Sequence, residues 1–526
     1  MRPSLEISIV AALLLASACD GSGAGPLPGT NPPPGTNPPP GTNPPSGTNP
    51  PPDANGTSPP AVVDLGPCPI QVNDLALYQT LKIPLVAAGA TVATRSVDVV
   101  EGKAALVRAW LVPNEAATAP VDVRARLTVA SAAGQRTIED TMTVSSASLE
   151  SDLRTTLGFA VDGELVRSDT SVVLDILEPA ACASKPDQSR LPRQGSVGLT
   201  PRKTGVLNVV LVPVRYDADG SGRLPDTSPE QVERFRATMS ALYPVTRVNI
   251  TMREMVGSSV DLAGSTSAAW SQFLDSIRGL RAADRATDDL YYYGLVEPAA
   301  SLVGYCRNSC IAGISFQVSE NRAALRAGVG LAFPGDTSAL TMAHELGHQH
   351  GLGHAPCGAT AGLDTNYPYP SGVTNTWGYD ARASTMIAPT RRDLMSYCTP
   401  QWISDYNYQA VLERSAIINP ALAAELAAPA ARDWQVLLVG PDGVAQRGHP
   451  LTAFAPPADS AHETADLLGA AGERLGQIEV YRLPIADVDV SMVLVPRMPA
   501  AVRALTLRGG KPLSLDLMSE PRALAP

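Results

Sequence analysis

From about residue 61 to 200, apolar and polar positions alternate in short runs. They fall at Ala76 to Leu85, Thr91 to Val99, Ala105 to Val112, Val121 to Val129 and Ser171 to Ile176, with Gly, Asn and Asp turns between them. A period of two puts one set of side chains on one face, so this region predicts short strands arranged as a β-sandwich. Near residue 205 the rhythm changes. Leu207 to Val214 is a continuous apolar run suited to a buried strand, and Ser228-Pro229-Glu230-Gln231 has Ser and Pro where a helix begins. The pattern predicts a helix to about Leu242, a strand at Arg247 to Met252, a helix at Ser267 to Leu280 and a strand at Asp289 to Val296. Such alternation implies a mostly parallel, layered α/β sheet. Beyond about residue 425, runs at Gln435 to Val439, Gln477 to Leu483 and Val488 to Val495 predict a small β domain without catalytic candidates.

The N-terminus follows a different logic. Arg2 precedes the apolar run Ile7 to Ala16, and Ala16-Ser17-Ala18 leads into Cys19. This reads as a secretory signal, and small residues ending at a cysteine resemble a bacterial lipobox, with Cys19 as the lipidated residue. Gly-Thr-Asn-Pro-Pro then recurs every six residues from Gly29, Gly35, Gly41 and Gly47, a stretch with little to bury that reads as an extended spacer. The expected organisation is a signal peptide at 1–18, a proline-rich linker at 19–60, an all-β sandwich at 61–200, an α/β domain at 201–425 and a C-terminal β domain at 426–526. The expected location is the cell envelope, with a lipid anchor as the only membrane attachment. No apolar run reaches the roughly 18 to 20 residues of a spanning helix.

With 40 basic against 51 acidic residues the net charge is −11, which argues against a nucleic-acid partner. Removing Cys19 from seven cysteines leaves six, and an even number in an exported protein suggests disulfides, of which many pairings are possible. Domain logic favours Cys68 with Cys182, Cys306 with Cys310 and Cys357 with Cys398. Asp217 to Gly222 faintly resembles a calcium loop, but Ser228 stands where Glu is usual, and a plain turn is the alternative.

The chemistry concentrates at His344-Glu345-Leu346-Gly347-His348-Gln349-His350-Gly351-Leu352-Gly353-His354, which holds four of the six histidines. On a helix, residues four apart share a face, so His344 and His348 can present imidazoles to one zinc ion. Glu345 lies beside that face and can serve as general base without being a ligand. Gly351 permits the turn that brings His354 back as a third ligand. Three protein ligands leave one position open, as a catalytic zinc site needs. His350 lies off the ligand face and reads as a non-ligand that is partly exposed. No role falls to His449 or His462.

The spacing fits H-E-x-x-H-x-x-G-x-x-H, and Asp393-Leu394-Met395-Ser396-Tyr397 follows. Together these resemble the metzincin clan of zinc endopeptidases, marked by this motif and a Met-turn. The resemblance covers roughly residues 205 to 420. It implies Met395 as the floor beneath the zinc and Tyr397 as a movable ligand or oxyanion donor. It also implies Gly330-Leu331-Ala332 as part of an antiparallel edge strand that binds extended substrate, with a routine buried strand as the alternative, and a helix at Ser404 to Ile417. The residues between His354 and Met395 should wall a pocket, with Tyr367, Tyr369 and Trp377 as candidate lining or as packing. Neither a cysteine switch nor glycine-rich calcium repeats accompany the motif, so the mode of latency is open. The implied function is zinc-dependent hydrolysis of protein or glycoprotein substrates by a zinc-bound water, with Glu345 as base. The alternative is a catalytically silent surface adhesin that keeps the fold.

Overall fold

The computed structural model describes residues 66–526 except 308, 319–321, 360, 419–431, 454–460, 508–509, 516–517, 519, 522–523 and 526. The signal at 1–18, Cys19 and the linker to residue 60 lie outside the described residues.

The first strands are β1 (Ile70–Gln79), β2 (Leu81–Ala87), β3 (Ala105–Pro113), β4 (Val121–Ser131), β5 (Gly134–Val144), β6 (Thr156–Val161) and β7 (Ser171–Glu178). The apolar run at 76–85 is two strands, because Thr80 at φ +80° turns the chain and Gln79 pairs with Leu81. Both arms are apolar and neither Gly nor Pro marks the turn, so the pattern reads straight through it. Between 91 and 99, Val97 and Val99 are buried without forming a ladder. Strand β5 escapes the pattern because only Val144 on it is buried. In β4, by contrast, Val123, Ala125, Leu127 and Val129 face inward while Arg124 and Arg126 face out. Side chains from β1, β3 and β6 (Leu75, Val107, Phe159) share one core with Val123, Leu127 and Leu174 of the second sheet. Cys68 is bonded to Cys182.

The central region contains β8 (Val206–Tyr216), α1 (Pro229–Leu242), β9 (Arg247–Met252), α2 (Ser267–Ala283), β10 (Leu290–Val296), β11 (Gly313–Ser315), β12 (Ala327–Leu331) and α3 (Asp336–Gln349). Ser228 caps α1 by accepting a hydrogen bond from the Gln231 N–H at 3.3 Å. The sheet order is β9-β8-β10-β12-β11. Neighbours through β12 run parallel, and β11 pairs antiparallel with β12. This corrects the placing of Gly330, Leu331 and Ala332 on an edge. Gly330 and Leu331 lie in β12, flanked by β10 and β11, and the Ala332 N–H donates to Val296 O at 3.0 Å. An interior strand has no free ladder to offer, so the edge position falls to Gly313–Ser315.

Two further strands, β13 (Gly378–Asp380) and β14 (Thr385–Ile387), come from the segment between His354 and Met395 and extend the first sheet in the order β14-β13-β2-β1-β3-β6. Helix α4 (Asp405–Ile418) buries Tyr408, Val411 and Leu412, and the Tyr408 hydroxyl donates to Gln79 O at 3.0 Å. The C-terminal sheet includes β15 (Arg432–Val439), β16 (Ala445–Ala453), β17 (Ala461–Leu468), β18 (Arg474–Pro484) and β19 (Ser491–Pro496), in the order β16-β15-β19-β18-β17. Its Val436, Leu438, Met492 and Leu494 pack in one cluster with Trp270 and Phe273 of α2. The first core likewise includes Phe235, Leu346, Met395 and Leu412. Packing therefore continues across residues 200 and 425, and the chain from Asp64 onward clusters as one unit. Among the described residues no helix is long and apolar enough to cross a membrane.

Candidate metal centre

Helix α3 is buried along most of its length. Its first turn lacks a side-chain cap of its own, and Gln231 of α1 supplies one by donating to Gly335 O (3.1 Å) and accepting from Gly335 N (3.0 Å). At the other end Gly351 adopts φ +92°. Its N–H donates to His348 O at 2.8 Å and the Leu352 N–H donates to Gly347 O at 3.1 Å, the hydrogen-bond pattern of a Schellman stop. The chain then folds back and His354 lies against the helix.

The imidazoles are oriented by main chain. His344 Nδ1 lies 2.8 Å from Leu394 O, His348 Nδ1 2.8 Å from Leu352 O and His354 Nδ1 2.7 Å from Ala361 O. A carbonyl only accepts, so each Nδ1 carries a proton and each neutral ring turns a lone pair inward from Nε2. His344 and His348 Nε2 are 3.1 Å apart. The carboxylate of Asp487 completes the group, at 2.7 Å from His354 Nε2 and 3.1 Å from His348 Nε2. These four residues form the group that the described residues offer to a metal ion.

Such a convergence of acceptors is repulsive unless positive charge sits among them. Protons meet the need only in part. Burial opposes charge on His344, yet Asp487 and Glu345 outweigh it and hold its pKa up at about 9. Burial keeps His348 below the usual imidazole value. For Asp487, burial would raise the pKa, but the facing imidazoles hold it well below the carboxylate range. A divalent cation held by these four side chains would supply that charge. The four ligand atoms lie within 4.8 Å of one another, and the closer separations run from 2.7 to 3.8 Å, a range that brackets the roughly 3.3 Å between donors at zinc bond lengths.

Glu345 stands outside this set. It is buried, its Oε2 accepts from Ser315 Oγ at 2.9 Å, and burial followed by the charge of Asp487 pushes its pKa well above the carboxylate range. Under the helix lies Met395, fully buried. A Cβ on Gly347 would sit 2.4 Å from Met395 Sδ, so this helical position accepts only glycine without a shift. The turn is held by Asp393, whose buried carboxylate accepts from Met395 N (2.7 Å), Ser404 N (2.8 Å) and Asn407 Nδ2 (2.7 Å). Ala355 N–H donates to Met395 O and Tyr397 N–H to Cys357 O, both at 2.9 Å, beside the Cys357–Cys398 disulfide. Cys306 and Cys310 form the third bond. The Tyr397 hydroxyl donates to Asp487, and its ring lies 5.0 Å from that of His354.

Other sequence candidates fall elsewhere. His350 is buried, not partly exposed. It stacks on Tyr291 at 4.9 Å, and burial pushes its pKa down to about 3. Tyr367 packs edge-on against Tyr369 and Tyr406, and Trp377 packs with Tyr78 and Trp110, so these rings serve packing. Asp217 and Asp219 pair with Arg215 and Arg223. The functional residues that sequence reasoning missed are Asp487, Ser315 and Asp393. Asp393 sits inside a quoted motif, whereas nothing in the local sequence around Asp487 signals a ligand.

Three inward imidazole nitrogens on a helix and its return turn, closed by Asp487 and with a carboxylate on the same helix held apart from them, could hold a metal ion as a metallopeptidase does. Residues 325–410, which contain all three histidines and Met395, match the family model of peptidase M66. A search of the curated proteins finds no match.

Proposed function

We propose that the protein is a zinc-dependent endopeptidase of the metzincin type, acting on extracellular or surface proteins or glycoproteins. The observation that carries this reading is a separation of roles: the Nε2 atoms of His344 and His348 on α3 converge with that of His354 from the return turn, while Glu345 is held by Ser315 beside them. Three imidazoles with an oxygen donor suit zinc. When bound, the metal supplies a Lewis acid that lowers the pKa of water to about 7. Glu345 would take a proton from the attacking water and return it to the leaving amide nitrogen, a role open to it because it lies beside the three imidazoles without joining them. Tyr397 offers its hydroxyl to the developing oxyanion. The edge strand Gly313–Ser315 offers main-chain groups to an extended peptide. The sequence from Arg2 to Cys19 supports export and lipid anchoring.

One observation favours a second reading, a binding protein without turnover: Asp487 stands where substrate would approach. The deciding experiment is Glu345→Gln, with zinc by elemental analysis and cleavage of unfolded protein. The variant should keep close to one zinc per chain and lose about a hundred- to ten-thousand-fold or more of its activity. Cleavage that survives both chelation and this substitution would contradict the proposal.

A further inference from the structure

The loop between β18 and β19 enters the site in a defined way. Ile485 forms an antiparallel bridge with Phe316, and the Ala486 N–H donates to Ser315 O at 2.9 Å, so this segment pairs with the chain at the end of the edge strand. The loop closes on itself through Ile485 N–H to Val490 O at 3.3 Å. Ile485 and Ala486 are buried, and Asp487 follows at φ +65° with its side chain only 9% exposed. One of its oxygens lies against His354 and Tyr397. The other, Oδ2, is buried without a hydrogen-bond partner among the described residues and lies 3.1 Å from His348 Nε2. A buried carboxylate oxygen aimed at a ligand nitrogen is costly unless a cation sits between them.

We propose that Ile485-Ala486-Asp487 is a built-in pseudosubstrate: it adds to the edge strand as a peptide would and supplies Asp487 as a displaceable fourth metal ligand, which keeps the site closed. This rests on the metallopeptidase reading and deepens it. A site with four protein ligands has the closed character of a structural site, whereas catalysis needs one position free. Withdrawal of the loop leaves His344, His348 and His354 in place, because their Nδ1 atoms are held by carbonyls of other segments. Substrate then has both the metal position and the edge of β11.

Two substitutions test this without endangering the fold. Asp487→Gly removes the carboxylate at a positive φ that glycine prefers, and Asp487→Asn keeps the shape while weakening the ligand. Wild type and both variants are loaded with Co2+, titrated with acetohydroxamate and followed by visible absorption. Zinc-loaded samples are assayed on an unfolded protein. If the open form is below about a tenth of the wild type, the Gly variant binds hydroxamate at least about tenfold tighter and cleaves at least about tenfold faster, with Asn shifted the same way by less. Equal hydroxamate affinity in metal-loaded wild type and variants overturns the proposal and leaves the peptidase reading intact. Tighter hydroxamate binding with no cleavage in any form supports the plug and removes the peptidase reading. Failure of the wild type to bind metal overturns both.

Discussion

The two regions that meet at the candidate metal centre, His344–His354 and Ile485–Asp487, are built by different means. The first is local: helix periodicity sets His344 and His348, one glycine at φ +92° ends the helix, and three candidate ligands fit within eleven residues. The second lies 133 residues beyond His354 and is delivered by a β-sheet packed against α2. Local geometry leaves a spacing in the sequence. Tertiary delivery leaves none, and the aspartate could stand on any loop whose sheet happened to dock there.

The sharpest way to break the comparison is on the local side. His348→Ala removes a ligand that nothing else replaces, so zinc by elemental analysis should fall far below one per chain and cleavage should vanish, whereas Asp487→Gly keeps the metal. On the tertiary side, Asp275 of α2 accepts from Arg278 (2.9 and 2.7 Å) and from His449 N and Nδ1 (2.6 and 2.7 Å), fastening β16 to the helix. Asp275→Ala strands a buried guanidinium and should cost about 3 to 5 kcal/mol in chemical denaturation. Burial raises the Asp275 pKa, but Arg278 and His449 outweigh it, so the folded value lies below the unfolded one. Its stabilisation is therefore full above about pH 3.9 and lost as pH falls through the lowered value, and Asp275→Asn should flatten that acid limb of the stability curve.

Smaller effects separate the floor of the site from the C-terminal sheet. Cys357→Ser with Cys398→Ser opens a 41-residue separation and should cost about 2 to 4 kcal/mol by the same denaturation measurement. Gly347→Ala drives a methyl into Met395 and should cost about 1 to 3 kcal/mol, read as a lowered melting temperature with weaker zinc retention. Gly476→Ala on β18 meets nothing within 4 Å and should change stability by no more than about 0.5 kcal/mol.

Legibility in the sequence follows the same division. The helices at Pro229–Leu242 and Ser267–Ala283 carry caps and periodicity that the chain displays openly. The three imidazoles and Glu345 are equally plain, because a helix converts their spacing into a shared face. Thr80 hid a hairpin because its turn uses a left-handed threonine instead of glycine. Gly330–Ala332 misled because edge and interior strands share one pattern, and only the partner strand Gly313–Ser315, three residues long, tells them apart. His350 misled because lying off the ligand face suggested exposure, while Tyr243 and Tyr291, whose rings pack on it, are remote in sequence.

The most direct test of a metal centre assembled from both regions is anomalous diffraction at the zinc edge from crystals of the zinc-loaded protein. The account predicts one peak at about 2.0 to 2.1 Å from Nε2 of His344, His348 and His354, and within about 2.2 Å of an Asp487 oxygen, with Glu345 beyond bonding distance. A peak bonded to Glu345, or zinc held away from the three imidazoles, would contradict it.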